Sequence, residues 1–477
     1  MGHKKGEPRE QIILFPDTID DYIEENNPVR FLDAFIENLD MLKLEFKYAD
    51  PMSTGRPPYD PKDLLKLYIY GYLNRVRTSR RLEKETHRNI EVIWLMRGLK
   101  PDFKTIADFR KNNRKVFKEI FREFNILCRK MNLFGNELLA IDGSKFKASN
   151  NLGKNYTETL LKTKLKEIDK KIDEYFQDMD ELDEKENEDS ISSEELKEKI
   201  LDLRDEKEYY QELSDKIKSK GESQISLTDP DSRAYPRKYK VGVGYNAQIA
   251  ADDKHHLIVE QEVTNKVTDV DELSKMAIKA KEELSVDKVK VVADAGYTNA
   301  KEIESCDEAN IEAYTPRRHS SRNENRGLYT KDVFKYDKGK DCYICPAGNI
   351  LNRKFQYNEK RRNKRRDLIY YTTTMCSDCR IRKSCTTDKI RRITRSPEDH
   401  ALDAMYERIK KNPDIINKRK EIVEHIFGTI KFWNEQDHFL MRGLEKVKAE
   451  FCLSALSYNI TRVINIVGVK RMIEALN

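Results

Sequence analysis

Five short apolar runs between residues 136 and 316 constrain the fold of this 477-residue chain more than any other feature. They are NELLAIDGSKFKA, GVGYNAQIAADD, HHLIVEQEVTN, VDKVKVVADAGYTN and IEAYTP, and their length and content are typical of strands. Asp252-Asp253-Lys254, a hairpin-sized gap, separates the second run from the third. A helix fits Asp271 to Leu284, before the fourth run. The order strand, hairpin, helix, strand, helix, strand predicts a mixed α/β sheet rather than a solenoid or a bundle.

A long charged stretch without glycine separates the first run from the second. Residues 156 to 220 carry Leu and Ile at helical spacing, which predicts an inserted helical hairpin with its tip near Asn187 to Ser193. From Asp173 to Asp189 there are ten acidic residues and one lysine. The whole chain has a formal net charge of +6, so the chain without this segment has a net charge of +15. A basic body fits a polyanionic partner, although a solvated Lys/Glu-rich surface explains the same numbers.

The first 130 residues have the pattern of several short helices. Asp60-Pro61 opens the apolar run DLLKLYIYGYLNRV, and another helix is predicted after the cap-like Thr105-Ile106-Ala107-Asp108. Between them lies the arginine-dense stretch RTSRRLEKETHRN. We interpret this region as a helical DNA-binding domain that fixes phosphates with basic side chains; a bundle with a basic outer face is the alternative. The candidate DNA contacts are Arg75, Arg77, Arg80 and Arg81.

Five of the eight cysteines fall within one basic segment. They are Cys342, Cys345, Cys376, Cys379 and Cys385. Paired C-x2-C motifs about 30 residues apart match the spacing of structural zinc sites. Tetrahedral zinc takes four ligands, so the spacing leaves either Cys342 or Cys385 spare, and a loose group of reduced thiols is the alternative reading. We expect this segment to be irregular and to need the metal in order to fold.

The same segment contains KRRNKRR, with six positive charges in seven residues. Such a density favours an anionic partner, and Arg361 and Arg362 are candidate phosphate contacts. No stretch approaches 18 uncharged apolar residues, and MGHKKGEPREQIILF lacks the apolar region of a secretory signal. We therefore expect no membrane span and a cytoplasmic protein with reduced thiols.

Three carboxylates are candidates for a catalytic site. Asp142 and Asp294 each end a strand-like run, and active sites of open α/β sheets gather beyond strand ends. Glu424 lies on a predicted helix with Lys420 and Lys431 on roughly the same face. Hard divalent ions prefer oxygen ligands, and two of them about 3.5–4 Å apart can support in-line phosphoryl displacement. A strand-end Asp taken alone is more often a turn former or a helix cap.

Several long segments carry a resemblance to a known family. ELLAIDGSKFKASN, GYNAQIAADDKHHLIVE, VVADAGYTNAKEI and RKEIVEHIFGTIKFW resemble the DDE transposases of bacterial insertion sequences, which have a ribonuclease-H-like core. The resemblance extends upstream to PVRFLDAF, YDPKDLLKLYIYGYLNRVRTSRRLE and PDFKTIADFR, and downstream to FLMRGLEKVKAEF. It implies that Asp142, Asp294 and Glu424 are the catalytic residues and bind two Mg²⁺ ions, or Mn²⁺. It also implies that Lys431 contacts DNA.

The chain departs from the family signature upstream of the glutamate. Where the signature has Tyr and Arg, this chain has Asn417 and Lys420, with Arg419 shifted by one position. This departure puts the phosphate-contact role of the upstream residues in doubt and leaves the carboxylates intact. Among the cysteines, the resemblance favours Cys345, Cys376, Cys379 and Cys385 as the zinc ligands.

Other polar residues near these motifs are weaker candidates. Lys145 and Lys147 alternate along the first strand and are expected to face a DNA backbone. Asp229 and Asp231, before the second strand, are expected to form a loop turn. His425 is expected to be a packing or DNA contact rather than a general base.

Together these observations predict a multidomain α/β protein. Its ribonuclease-H-like mixed-sheet core is interrupted by a helical arm and a Cys-rich zinc-binding insertion, after an all-helical N-terminal domain. The predicted boundaries are 1–130 (helical DNA-binding domain), 131–155 and 226–316 (core), 156–225 (arm), 317–397 (insertion) and 398–477 (C-terminal helical part of the core).

The resemblance implies a protein that binds the terminal inverted repeats of an insertion sequence as double-stranded DNA, then cleaves and joins them to target DNA with Mg²⁺. We expect a homodimer or a larger assembly, because two ends must be joined. The location would be the bacterial cytoplasm, at the nucleoid. The alternatives are a catalytically silent DNA-binding repressor and a nuclease of the same core without strand transfer.

Overall fold

The computed structural model describes residues 18–50, 57–184, 193–236, 242–317, 321–361 and 364–476. Asn187, near the predicted tip of the arm, Arg362 and the side chain of Arg361 lie outside this description. No helix within the described ranges is long and apolar enough to cross a membrane.

Short capped helices form the N-terminal region. The Asp60 side chain accepts a hydrogen bond from the Lys62 amide, with Pro61 at the first helical position, as the sequence predicts. The helix predicted after Asp108 begins earlier, because Asp102 caps it, and it ends near Asn113 before the next helix starts. The helices are α1 (Pro28–Glu37), α2 (Pro61–Leu73), α3 (Ser79–Arg88), α4 (Ile90–Leu95), α5 (Phe103–Asn112) and α6 (Val116–Lys130).

A mixed sheet occupies the middle of the chain. Its elements and their neighbours are β1 (Leu138–Lys147), β2 (Asn155–Thr157), α7 (Glu158–Glu184), α8 (Ser193–Lys220), β3 (Gln224–Ser226), β4 (Arg233–Ala234), β5 (Val243–Asp252), β6 (Ile258–Thr264), α9 (Leu273–Leu284), β7 (Val289–Ala293), α10 (Ala300–Glu308) and β8 (Ile311–Tyr314).

The five main strands pair side by side in one sheet. The order is β6-β5-β1-β7-β8, and the short β4 also pairs with β5. β1 pairs antiparallel with β5 and parallel with β7, and β7 pairs parallel with β8. All of β5 and the first four residues of β1 are buried, as expected of strands covered on both sides. The parallel pairing of β1 with β7 stops at Ile141 and Ala293, although β1 continues to Lys147 along β5.

The inserted helices α7 and α8 pack against each other and are joined at their base by the β2–β3 pair. Their own apolar seam includes Leu161 and Ile168, which the helical spacing identifies in the sequence, and Tyr210 from α8. This seam is separate from the main core, so the arm is a satellite of the sheet.

The expectation of an irregular segment at 317–397 is wrong. The segment contains a five-stranded antiparallel sheet in the order β13-β12-β11-β10-β9. Tyr343, Leu351, Tyr371 and Ile393 pack into a separate apolar cluster, whose alternation is obscured in the sequence by the charged residues between them. The elements are α11 (Ser321–Glu324), β9 (Lys335–Asp337), β10 (Cys342–Ile344), β11 (Ile350–Arg361), β12 (Lys364–Thr372), α12 (Arg382–Cys385) and β13 (Arg392–Arg395).

The C-terminal helices connect the N-terminal region to the sheet. They are α13 (Asp399–Lys411), α14 (Ile415–Gly428), a π-helical turn (Thr429–Trp433), α15 (Leu444–Val467) and α16 (Val469–Glu474). α14 lies across β1 and β7, and α15 packs against β6, α2 and α6. One apolar core therefore runs from Ile23 in the N-terminal region to Met472 in α16.

Candidate active site

Two aspartates directly follow the last paired residues of the neighbouring parallel strands β1 and β7. Ile141 of β1 is in register with Ala293 of β7, so Asp142 and Asp294 follow at the same edge. The Asp142 Oδ1 accepts a hydrogen bond from the Gly143 amide at 2.9 Å. The Asp294 Oδ1 accepts one from the Gly296 amide at 2.6 Å and so caps the turn after β7. The structure thus brings together the two aspartates that the sequence singles out. The expectation that both follow a strand end is confirmed for Asp294 and wrong for Asp142, because β1 continues to Lys147 by pairing with β5.

Asp142 is electrostatically unusual. Burial raises the pKa of its carboxyl to about 6, against an ordinary value of 3.8. The Arg419 guanidinium and the Gly143 amide oppose this rise in pKa, while the negative charges of Asp294 and Asp269 add to it. A desolvated carboxylate among other carboxylates is a site that favours a bound cation.

Arg419 links the first and third candidate carboxylates. Its Nη1 donates to the Asp142 Oδ2 at 2.9 Å, and its Nη2 lies 3.8 Å from the Glu424 Oε1. The Glu424 side chain is 58% exposed, whereas that of Asp142 is 18% exposed. Glu424 therefore lies at the mouth of the site, and Arg419 supplies the positive charge between the two.

A fourth carboxylate, Asp269, belongs to the same site. Its Oδ1 accepts hydrogen bonds from Lys145 Nζ at 2.9 Å, Asn246 Nδ2 at 2.7 Å and Gln248 Nε2 at 2.8 Å. Sequence reasoning missed Asp269, because it lies in a polar loop after β6 rather than at the end of an apolar run. The polar residues at alternate positions of β5, which point to one face of the strand, were the available signal.

Gly143 is required by this network. A Cβ at Gly143 would stand 2.3 Å from the Gln248 Nε2 and 2.9 Å from the Asp269 Oδ1. The Gln248 Oε1 in turn accepts a hydrogen bond from the buried Tyr297 hydroxyl. The glycine after Asp142 therefore leaves room for the amide that joins Tyr297 to Asp269.

Lys431 lies against the outer end of β1. Its Nζ donates to the Ser144 Oγ at 2.6 Å and to the Lys145 carbonyl at 2.7 Å, and it stands 4.4 Å from the centre of the Phe146 ring. Burial lowers the pKa of Lys431 to about 8. Lys145 itself is 5% exposed and pairs with Asp269, so its ammonium faces the carboxylates.

The remaining basic candidates divide by exposure. Arg77 is buried, and its guanidinium donates to the carbonyls of Glu435 and His438 at 2.9 and 3.0 Å. It also lies 3.6 Å from the buried Glu450 carboxylate. Arg77 thus joins the N-terminal region to the turn after Lys431. The exposed candidates are Arg75, Arg80, Arg81, Lys147 and Lys420.

The weaker polar candidates have structural partners. The Asp229 Oδ1 accepts from the Tyr245 hydroxyl at 2.7 Å and from the Gly443 amide at 3.0 Å. The Asp231 Oδ2 accepts from the Leu444 amide at 2.8 Å, so both aspartates stabilise the start of α15. The His425 ring contacts the Tyr458 hydroxyl at 3.1 Å, in keeping with a packing role.

Four of the five clustered cysteines line one small cavity. Its volume is about 20 Å³, and its lining includes Cys345, Cys376, Cys379 and Cys385. Burial raises the pKa of the Cys385 thiol, and the other three thiols add to that rise. Cys342 is buried elsewhere, on β10. Within the described parts of the chain, no three His, Cys, Asp or Glu side chains are grouped so that they could hold a metal ion.

Two family models match the chain. A model described as Transposase domain (DUF772) matches residues 17–112, and one described as Transposase DDE domain matches residues 344–464. The chain is a DDE transposase of the insertion-sequence type. The family expected from the sequence is thereby confirmed. The matched ranges include the arginine-dense helix of the transposase and its candidate glutamate, Glu424.

Among solved structures, the transposase is similar to a cryo-EM structure of a piggyBac transposase synaptic complex with hairpin DNA. The two share 10% sequence identity with a TM-score of 0.33, over 94% of this chain and 79% of that one, a similarity too low to bear on function. A comparison with curated proteins gives no match.

Proposed function

We propose that this transposase binds the terminal inverted repeats of an insertion sequence, cleaves the DNA and joins the ends to a target, with Asp142, Asp294 and Glu424 as its catalytic carboxylates. One observation carries the proposal: Asp142 and Asp294 directly follow the last paired residues of two adjacent parallel strands, and Arg419 joins Asp142 to Glu424. The order of the five main strands supports a ribonuclease-H-like core.

The carboxylate edge fits hard divalent cations by its donor chemistry. Oxygen ligands from desolvated carboxylates are what Mg²⁺ and Mn²⁺ prefer, and Asp142 and Asp294 would hold such ions together with Glu424. When bound, the ions would activate the attacking oxygen and neutralise charge on the phosphate. Arg419 now donates to the Asp142 oxygen that such an ion would need, so we expect ion binding to replace this contact.

The transposase's own residues would hold the reacting DNA in place. Lys431 is fixed by Ser144 and by the Lys145 carbonyl, which positions its charge at the rim of the site for a phosphate. Lys145 neutralises Asp269 and so stabilises the strand that carries Asp142. The exposed Arg75, Arg80, Arg81, Lys147 and Lys420 are the proposed contacts to flanking duplex.

We assign structural zinc to Cys345, Cys376, Cys379 and Cys385, because these thiols share one cavity close to the size of a single small atom or water. Soft thiolate ligands favour Zn²⁺ over Mg²⁺. Cys342 is left out of the proposed set because it does not line this cavity. The zinc would hold β10 and the loop before β13 together beside the small apolar cluster of the insertion.

A strand-transfer assay tests the proposal. Labelled duplexes carrying the terminal repeats that flank the coding sequence are incubated with the full chain, target DNA and Mg²⁺. We expect joined product from the wild type and none from Asp142→Ala, Asp294→Ala or Glu424→Ala, with duplex binding retained. Glu421→Ala, an exposed carboxylate on the same helix, is the matched control and should keep its activity.

The other outcomes separate the alternatives. Specific binding without cutting by the wild type would indicate a silent repressor, and cutting without joined product would indicate a nuclease. Cutting that survives any one of the three substitutions would show that the active site lies elsewhere. Assembly as a homodimer or larger complex, expected because two ends must meet, is measured by the mass of the complex on end DNA.

A further inference from the structure

Two neighbouring aromatic side chains project from the rim of the candidate active site. Phe432 is 78% exposed and Trp433 is 70% exposed, the highest values among large hydrophobic residues in the described parts of the chain. Both belong to the π-helical turn Thr429–Trp433, which continues α14 beyond Glu424. Insertions of this kind in α-helices often occur at functional sites.

The exposure of these rings follows from a backbone that is fixed on both sides. Ile430 points into the core with no exposed surface, and Lys431 is held by two hydrogen bonds to β1. After the turn, the Lys147 amide donates to the Asp437 carbonyl at 3.2 Å, and the Phe439 amide donates to the Lys147 carbonyl at 2.9 Å. Ile430 and Lys431 thus point inward, whereas the side chains of the next two residues face solvent.

Arg77 holds the same segment from the opposite side. Its guanidinium binds the carbonyls of Glu435 and His438, two and five residues after Trp433. A rigid turn that presents two rings loses little conformational entropy when a flat ligand stacks on it. The neighbouring cations are Lys431 and the exposed Lys147, so the surface combines flat apolar faces with positive charge. That combination matches a nucleotide, which has a π-face and a phosphate.

We propose that Phe432 and Trp433 form a stacking platform for an unpaired nucleobase of the DNA strand at the active site. The inference rests on the proposed function, because it requires DNA at the carboxylate edge. A ring can stack on a base only where the face of that base is open, at a strand end or at an extruded nucleotide. The platform would thus hold the strand whose phosphate lies beside Lys431, and would favour an opened end over intact duplex.

The test uses intrinsic fluorescence of the full chain. The sequence has two tryptophans, so in a Trp94→Phe background Trp433 is the sole emitter. The probes are a 20-nucleotide oligo(dT) and a 20-base-pair duplex of mixed sequence, without Mg²⁺ so that neither is cut. We expect oligo(dT) to quench Trp433. In the wild-type background, Trp433→Ala should weaken oligo(dT) binding roughly 5- to 100-fold and change duplex binding less than twofold.

Two further variants make the result specific. Trp433→Phe keeps a flat ring and should retain most of the oligo(dT) affinity. Phe176→Ala removes an exposed ring from the arm and should change neither probe. One result would overturn the platform and leave the proposed function standing. In that result the protein binds the duplex and oligo(dT), and neither Phe432→Ala nor Trp433→Ala changes the affinity for oligo(dT).

Two other results would also overturn the platform. If neither probe binds the wild type, the proposed function itself fails. If the protein without DNA is oligomeric and Trp433→Ala makes it monomeric, the aromatic pair is an interface between copies of the chain.

Discussion

Asp142→Asn should make the transposase more stable at neutral pH while abolishing its activity. The folded protein raises the pKa of the Asp142 carboxyl from 3.8 to about 6, because burial disfavours the charged form. Below pH 3.8 the group is protonated in both the folded and the unfolded chain, so its ionisation does not affect the free energy of unfolding. Between these pKa values the unfolded chain loses the proton and the folded chain keeps it, so stability falls as the pH rises.

The size of the effect follows from the pKa values. Each pH unit between them corresponds to about 1.4 kcal/mol, so ionised Asp142 costs about 3 kcal/mol of folding free energy above pH 7. Asparagine has nearly the same shape and cannot ionise. We therefore expect Asp142→Asn to gain about 3 kcal/mol at pH 8 and only about 1 kcal/mol at pH 4.5.

Urea unfolding followed by far-UV circular dichroism at pH 8 and pH 4.5, without divalent ions, measures both values. Arg419→Gln is the matched variant with the opposite effect on stability, because it removes the cation that lowers the pKa of Asp142. Arg419→Gln should destabilise the protein at pH 8, and it should destabilise the Asp142→Asn variant by less. Equal stability of Asp142→Asn and wild type at pH 8, or a difference that does not shrink on acidification, would refute the argument.

Four further predictions concern binding, stability and metal content. Burial lowers the pKa of Lys431 to about 8, so DNA affinity measured by fluorescence anisotropy should fall as the pH rises from 7 to 9, and Lys431→Arg should remove that fall. Arg81→Ala should lower the slope of log affinity against log salt by about 0.9 with unchanged stability. Arg77→Ala should instead cost about 2–4 kcal/mol in urea unfolding, because it leaves a buried carboxylate and two carbonyls without their partner. Metal analysis of the purified protein should find about one zinc per chain in Cys342→Ser and much less in Cys345→Ser.

The two strands of the active site could be predicted from the sequence because their signal is local. Apolar runs before Asp142 and Asp294 indicate buried strands. The end of β1 could not be predicted in this way, because its polar continuation to Lys147 is held by pairing with the distant β5. The cap at Asp60 and the arm helices have equally local signals. These features depend on neighbours a few residues away, which a pattern can record.

The parts that the sequence concealed depend on distant partners. Arg77 has the same type and surroundings as its exposed neighbours in the arginine-dense stretch, and only the turn at Glu435 to His438, more than 350 residues later, explains its burial. The strands of the insertion could not be predicted, because the charged run KRRNKRR lacks the apolar residues at alternate positions that mark a half-buried strand. Charge density alone does not distinguish a buried anchor from an exposed phosphate contact.

Arg419 shows how a departure from a motif can be read in structural terms. The chain has lysine at the signature's arginine position, and position 420 is exposed, whereas the guanidinium one residue earlier reaches Asp142 across the site. On a helix a shift of one residue rotates the side chain by about 100°, from the rim toward the sheet. The positive charge is therefore moved from the surface to the desolvated carboxylates. There it offsets part of the cost of burying Asp142, which is why the pKa of that group rises only to about 6.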